Sequence, residues 1–302
     1  MPTWHWKTEL AVAFMRAAGR EIANLAPTRW RKKLPTAPRS KRLAQAVTHE
    51  RTQWGGLDTD IHDASGQGDA NVLLYLHGGG YGVCSPNTHR ALIARITRAA
   101  GCKTYAPRYR LAPEHPFPAA LEDAQRAYAQ LLADGVPPAS IGIAGDSAGG
   151  GLTLALLMTL RDEGKPLPSG AWLLSPWLDL TQSGASMQDN QTTDYLHPRA
   201  LEAFARRYAG DADRRDFRIS PLFGDPAGLP ALCVQAGGAE VLCSQIEAFA
   251  QKAKDAGVST QLEVAPEMMH VWQAFGGLVP QGRPAVEAGA RFLRACWRVE
   301  ED

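Results

Sequence analysis

The stretch IGIAGDSAGGGLTLALL, residues 141–157, decides how the chain folds. IGIAG is a short apolar run, the pattern of a strand buried on both faces of a parallel sheet. From about Ala148 to residue 163 the sequence reads as a helix. Between them GDSAG matches G-x-S-x-G, the nucleophile elbow, in which a serine sits on a sharp strand-to-helix turn. Gly145 and Gly149 relieve contacts that a Cβ would make in such a turn. Ser147 then stands at the C-terminal edge of the sheet, where open α/β sheets bind ligands. The helix N-terminus beneath it favours developing negative charge. A glycine-rich turn with no chemistry is the alternative, but strand and helix flank the motif as the elbow requires.

Outward from this unit the same alternation repeats. VLLYL (72–76), CKTYA (102–106), AWLLS (171–175), ALCVQAG (231–237) and TQLEVA (260–265) read as further strands. Helices are expected near 87–100, 118–133, 243–257 and 284–298. RLAPEHPFP (110–118) carries too many prolines to be regular. Residues 181–225 change character: polar, aspartate-rich, helical in patches around 199–209, without strand signal. They read as an insertion packed over the sheet. Before the alternation, which begins near residue 46, residues 8–24 read as an amphipathic helix and 27–45 as a basic, proline-broken connection. The expectation is an α/β fold, a mainly parallel sheet with helices on both faces.

A serine hydroxyl is a weak nucleophile near neutral pH and needs a base, which in turn needs an orienting group. With an elbow serine the chain order is serine, acid, histidine. Of eight histidines only His197 and His270 follow Ser147. His197 lies in the insertion beside Pro198. His270, in PEMMHVW after the last strand, returns to the serine's edge of the sheet and is the expected base. The acid belongs in a turn after a late strand. Glu240, thirty residues before His270, is favoured, and Asp179 in SPWLDL is the alternative. A second glycine cluster, HGGGY (77–81), offers bare backbone N–H groups to either a phosphate or an oxyanion.

Composition narrows the classes. The chain has 302 residues, 45% hydrophobic and 21% charged, with a net charge of +1. That balance argues against a dedicated nucleic-acid binder, and the basic stretch 29–42 reads as a solvated linker. Five scattered cysteines have no metal-ligand spacing and read as reduced thiols. No metal is expected. No signal peptide and no run of 18 apolar residues is found, so a soluble, cytoplasmic protein without membrane insertion is expected.

HGGGY (77–81), YRLAPEHPFP (109–118), GDSAGG (145–150), SPWLDL (175–180) and PEMMHVW (266–272) together resemble the hormone-sensitive-lipase-like family of carboxylesterases, over residues from about 50 to 298. The resemblance implies an α/β-hydrolase fold with a central, mostly parallel eight-stranded sheet. It implies a lid made of residues 1–45 and the insertion at about 181–225, with residues 46–302 as the catalytic domain. Many members carry aspartate in a D-x-L pattern for the acid, whereas this chain reads Glu240-Val241-Leu242. The implied activity is hydrolysis of short- to medium-chain acyl esters, or lactones, through an acyl-serine. No cofactor is implied. Amidase or peptidase activity would use the same triad, and a non-catalytic receptor exists on this scaffold with the histidine lost. A homodimer is common in the family.

In that setting Gly79, Gly80 and Ala148 are the expected oxyanion donors. G-x-G-x-x-G spacing and a following G-K-[ST] are both missing, which argues against a nucleotide. Tyr81, Trp177, Met268, Met269 and Trp272 flank the motifs and are candidates to line an apolar substrate pocket, with ordinary core packing as the alternative.

Overall fold

The computed structural model describes residues 40–64 and 71–298, together with Glu9, Val12, Ala13, Arg31, Leu34, Thr36 and Ala37. Of the expected helix at 8–24 the described residues are Glu9, Val12 and Ala13, all helical, and nearly half of the 27–45 connection lies outside the described residues. Within the latter, however, Lys41–Ala46 forms a helix, α1. Ser40 caps it by accepting from the Leu43 N–H at 3.2 Å, and Leu43 packs with Val47 and Ala94. One local cap and one buried side chain suffice to start a turn of helix in a basic stretch.

Eight strands form one sheet in the order β1-β2-β4-β3-β5-β6-β7-β8. They are β1 (Thr48–Trp54), β2 (Leu57–Asp63), β3 (Val72–Leu76), β4 (Lys103–Pro107), β5 (Ile141–Asp146), β6 (Gly170–Leu174), β7 (Ala231–Gly237) and β8 (Thr260–Ala265). The alternation expected from residue 46 is corrected at its start. β1 and β2 are an antiparallel hairpin, and β2 runs antiparallel to β4. The remaining pairs are parallel. The hairpin turns on Gly55 and Gly56, whose φ values of 58° and 74° suit a tight primed turn.

Successive residues of the central strands point to opposite faces. Val72, Leu74 and Leu76 join one core with Ile141, Ile143, Ala171, Leu173, Leu232 and Val234. Leu73, Tyr75, Ala144, Trp172, Leu174 and Cys233 enter the other. The first face is covered by α3 (Ala119–Ala133), α4 (Ala148–Asp162) and α7 (Cys243–Asp255). The second is covered by α2 (Pro86–Ala100) and α8 (Gly282–Cys296). The connection from β6 to β7 holds only α5 (Ser186–Asp189), α6 (Pro198–Ala209) and a short turn of 3-10 helix at Pro221–Phe223.

This topology concentrates loops at one edge. β3 lies next to β5 with Leu76 opposite Gly145, so HGGGY and GDSAG leave adjacent strands side by side. β7 and β8 end together with Gly237 opposite Ala265, and the loops bearing Glu240 and His270 follow. No helix among the described residues is long and apolar enough to cross a membrane.

Candidate active site

Ser147 is the N-cap of α4 with φ 53° and ψ −123°, a conformation side chains rarely adopt. Holding it there costs on the order of 1–3 kcal/mol, which the surrounding fold supplies. The Ser147 N–H donates to the Leu174 carbonyl at 2.9 Å, and its own carbonyl accepts from Gly151 and Trp177. A Cβ on Gly149 would run into the Leu76 carbonyl, and one on Gly145 into the Gly149 carbonyl. Both elbow glycines are thus demanded by the close approach of β3 to the start of α4.

The loop after β3 crosses in front of this turn. Gly79 has φ 118°, and a Cβ there would strike the Val83 carbonyl. The Gly79 carbonyl accepts from Gly82 and Val83, closing the loop on itself. Among the described residues the N–H groups of Gly79, Gly80 and Ala148 donate to nothing. The loop is anchored from below by Asp146, which is 2% exposed. Its carboxylate accepts from Gly78 N–H at 3.0 Å, Tyr75 hydroxyl at 2.6 Å and His89 Nε2 at 3.1 Å. Burial opposes charge on both Asp146 and His89, yet each charge outweighs that for its partner. The carboxyl is held below its ordinary value and the imidazole above its own, so they stand as an ion pair. His77 differs: burial, then the neighbouring His89, depresses it to about 3. It stacks on Tyr109 at 4.3 Å and bonds the Gly78 carbonyl, a neutral prop for the loop.

At the other end of the edge, His270 Nδ1 and Glu240 Oε2 lie 2.8 Å apart. Glu240 is fully buried and His270 is 2% exposed. The second Glu240 oxygen accepts from the Gly237 N–H at 3.0 Å, so the carboxylate is fixed by its own turn. Burial alone would lower the His270 pKa. The hydrogen bond and charge of Glu240, with the charges of Asp194 and Asp146, reverse that and raise it above 6.5. The Val271 N–H donates to Ser175 Oγ at 3.0 Å, tying the histidine loop to the end of β6.

The other two candidates, Asp179 and His197, fall elsewhere. Asp179 is saturated by the backbone and hydroxyl groups of Thr181 and Ser183, four bonds of 2.6–2.8 Å that make it a turn cap. His197 caps α6 by accepting from the Arg199 N–H. Ser147 Oγ makes no hydrogen bond among the described residues, and such contacts tighten when substrate binds.

The five pocket candidates are all interior side chains, none more than 5% exposed. Tyr81 stacks on Tyr208 of α6 at 3.7 Å, and Trp177 donates to the Asp179 carbonyl. Met268, Met269 and Trp272 pack together with Val12. Sequence reasoning missed Asp194, a carboxylate 1% exposed beside His270. All five cysteines are free, and burial pushes Cys84, Cys102, Cys233 and Cys243 up to about 12. Burial thus disfavours the thiolate at those four positions.

An elbow serine, open backbone donors and a buried carboxylate–imidazole pair on one edge of this sheet define an α/β-hydrolase. A family model described as alpha/beta hydrolase fold matches residues 73–274. The acetyl-hydrolase of Streptomyces hygroscopicus is 46% identical over 227 residues, 75% of this chain and 76% of its own. An esterase of Acinetobacter venetianus is 37% identical over 223 residues, 73% of this chain and 74% of its own. The crystal structure of an esterase from the bacterial hormone-sensitive lipase family superposes with a TM-score of 0.89 at 37% identity, covering 98% of this chain and 99% of that one. The chain belongs to the hormone-sensitive-lipase-like family and is a carboxylic-ester hydrolase.

Proposed function

We propose that the protein is a serine carboxylesterase acting on short- to medium-chain acyl esters through an acyl-serine. The observation that carries this reading is the buried Glu240–His270 bond on the sheet edge that also bears the strained Ser147. His270 Nε2 takes the Ser147 proton as Oγ attacks the ester carbonyl. Glu240 keeps the other ring proton on Nδ1 and stabilises the imidazolium. The N–H groups of Gly79, Gly80 and Ala148 meet the tetrahedral oxyanion, each such donor being worth about 3–4 kcal/mol in the transition state. His270 then gives its proton to the leaving alcohol, and afterwards activates the water that frees the acid.

The short-acyl preference is supported by the relative named an acetyl-hydrolase. α6 lays Phe204 and Tyr208 over Gly80 and Tyr81, which supports a covering role for the insertion. Five free thiols suit a reducing compartment such as the cytoplasm. A p-nitrophenyl ester series from acetate to palmitate, with matched anilides, tests the substrate class. The expected kcat/KM peaks between acetate and hexanoate, and a maximum at palmitate or on an anilide would contradict it.

The pH profile follows from the site. The base must be neutral to accept the serine proton, and the pKa of His270 is raised. Activity is therefore present above that pKa and is lost as pH falls through it. The acid limb of kcat/KM is expected above pH 6.5, the ordinary value of an imidazole. A limb below that value would contradict the Glu240 pairing.

A further inference from the structure

The insertion does more than cover the edge. Residues 190–195 lie against both loops that carry the acid and the base. Asn190 Nδ2 donates to the Gly238 and Glu240 carbonyls at 3.0 and 2.9 Å. Thr193 Oγ1 donates to the Ala239 carbonyl at 2.9 Å. Asp194 Oδ2 accepts from the Val241 N–H at 3.0 Å, while Oδ1 accepts from the Tyr195 N–H at 2.7 Å and the His270 N–H at 3.3 Å. The Tyr195 ring meets the His270 ring edge-on at 5.9 Å. One side chain thus bridges the Glu240 turn and the His270 loop, which are separate in sequence.

We propose that Asp194 is a positioning residue of the hydrolytic reaction, fixing His270 against the Glu240 turn and adding negative charge beside the imidazole. This rests on His270 being the base.

The charged groups facing His270 are Glu240 from the turn after β7, Asp194 from the insertion and Asp146 from the elbow, with Tyr195 presenting its ring. Asp194 faces His270 and Glu240, and burial is the main reason its own pKa rises to about 6. Above that pH it is ionised and strengthens His270 as a base. Two carboxylates then stabilise the imidazolium formed in the transition state, one by direct hydrogen bond and one through space.

The test is the pH dependence of kcat and kcat/KM for p-nitrophenyl butyrate in Asp194→Asn, with Asp194→Ser as a second neutral variant should the first fail to fold. Losing the charge is expected to move the acid limb down by roughly one pH unit and to lower kcat about tenfold, with KM little changed. Asp194→Glu is expected to restore the limb in part. Asn190→Ala loosens the same turn without changing charge, so it lowers kcat and leaves the limb in place. A wild-type limb in both neutral variants, or a limb that moves equally in Asn190→Ala, overturns the assignment. His270→Asn separates the two levels. If it is inert while Asp194→Asn keeps the wild-type limb, only this inference fails. If it stays active, the reading of the base fails.

Discussion

Ser147→Ala lowers kcat on p-nitrophenyl butyrate by on the order of 10⁴-fold or more, because no covalent acyl-enzyme forms without Oγ. On the proposed mechanism, what activity remains comes from the oxyanion donors and from substrate binding, neither of which the substitution touches. Stability should change by no more than about 0.5 kcal/mol, since the hydroxyl makes no hydrogen bond among the described residues and alanine bears the same strain at φ 53°. The elbow conformation is imposed by its neighbours: the Leu174 carbonyl, the Gly151 and Trp177 N–H groups and the close pass of Leu76 over Gly149. Denaturant unfolding run beside the kinetics separates a lost nucleophile from a lost fold. Undiminished turnover by the folded variant would remove Ser147 from the mechanism.

Glu240→Gln is expected to cost about 10³–10⁴-fold in kcat at neutral pH, by the logic that a wrong tautomer disables a triad histidine. The amide has nearly the shape of the carboxylate, and its oxygen can still accept from the Gly237 N–H, as Glu240 does now at 3.0 Å. Its nitrogen, however, would then face His270 Nδ1 and donate to it. The ring proton moves to Nε2, and the nitrogen that should take the serine proton is already occupied. The charge that raises the His270 pKa is also lost, so whatever acid limb remains shifts to lower pH. Asp179→Asn is the control. Both Asp179 oxygens are spent on Thr181 and Ser183, so kcat should stay within about threefold while the 179–183 turn weakens. A large loss confined to Asp179→Asn would transfer the acid's role.

Much of this was legible because its determinants are local. Strands such as ALCVQAG and TQLEVA are unbroken or alternating apolar runs between turns, and they form at 231–237 and 260–265 as expected. The elbow needs small residues at fixed offsets from the serine, so five consecutive letters carry it. The hairpin of β1 and β2 was missed although Gly55-Gly56 joins its strands. β1 is polar and exposed, reading THERTQW, so hydrophobic periodicity is weak where an edge strand is stabilised by its ladder. Lys41–Ala46 reads as linker in sequence because a charged, proline-bordered stretch hides one cap and one buried leucine.

The site divides along the same line. Ser147, Glu240 and His270 follow strand ends, so counting strands places them at one edge of the sheet. Asp194 follows no strand and matches no motif, and in sequence it is one acidic residue in a polar insertion. Only the packing of residues 190–195 against two distant loops makes it part of the site. Tyr81, Trp177, Met268, Met269 and Trp272 mark the limit from the other side. Aromatic and methionine side chains beside a motif look the same in sequence whether they line a pocket or fill a core, and here all five are interior. The neutral state of His77 was equally out of reach of the sequence, since it depends on burial and on His89 lying close by.

On the proposed mechanism Ser147 forms the covalent bond. The most direct measurement is reaction with a p-nitrophenyl alkylphosphonate, followed by mass spectrometry of the digested protein. The expected result is stoichiometric release of p-nitrophenol, loss of esterase activity in step with it, and a phosphonyl adduct on Ser147 in the peptide containing GDSAG. Inactivation with the adduct on another residue, or full labelling of Ser147 with activity intact, would contradict it.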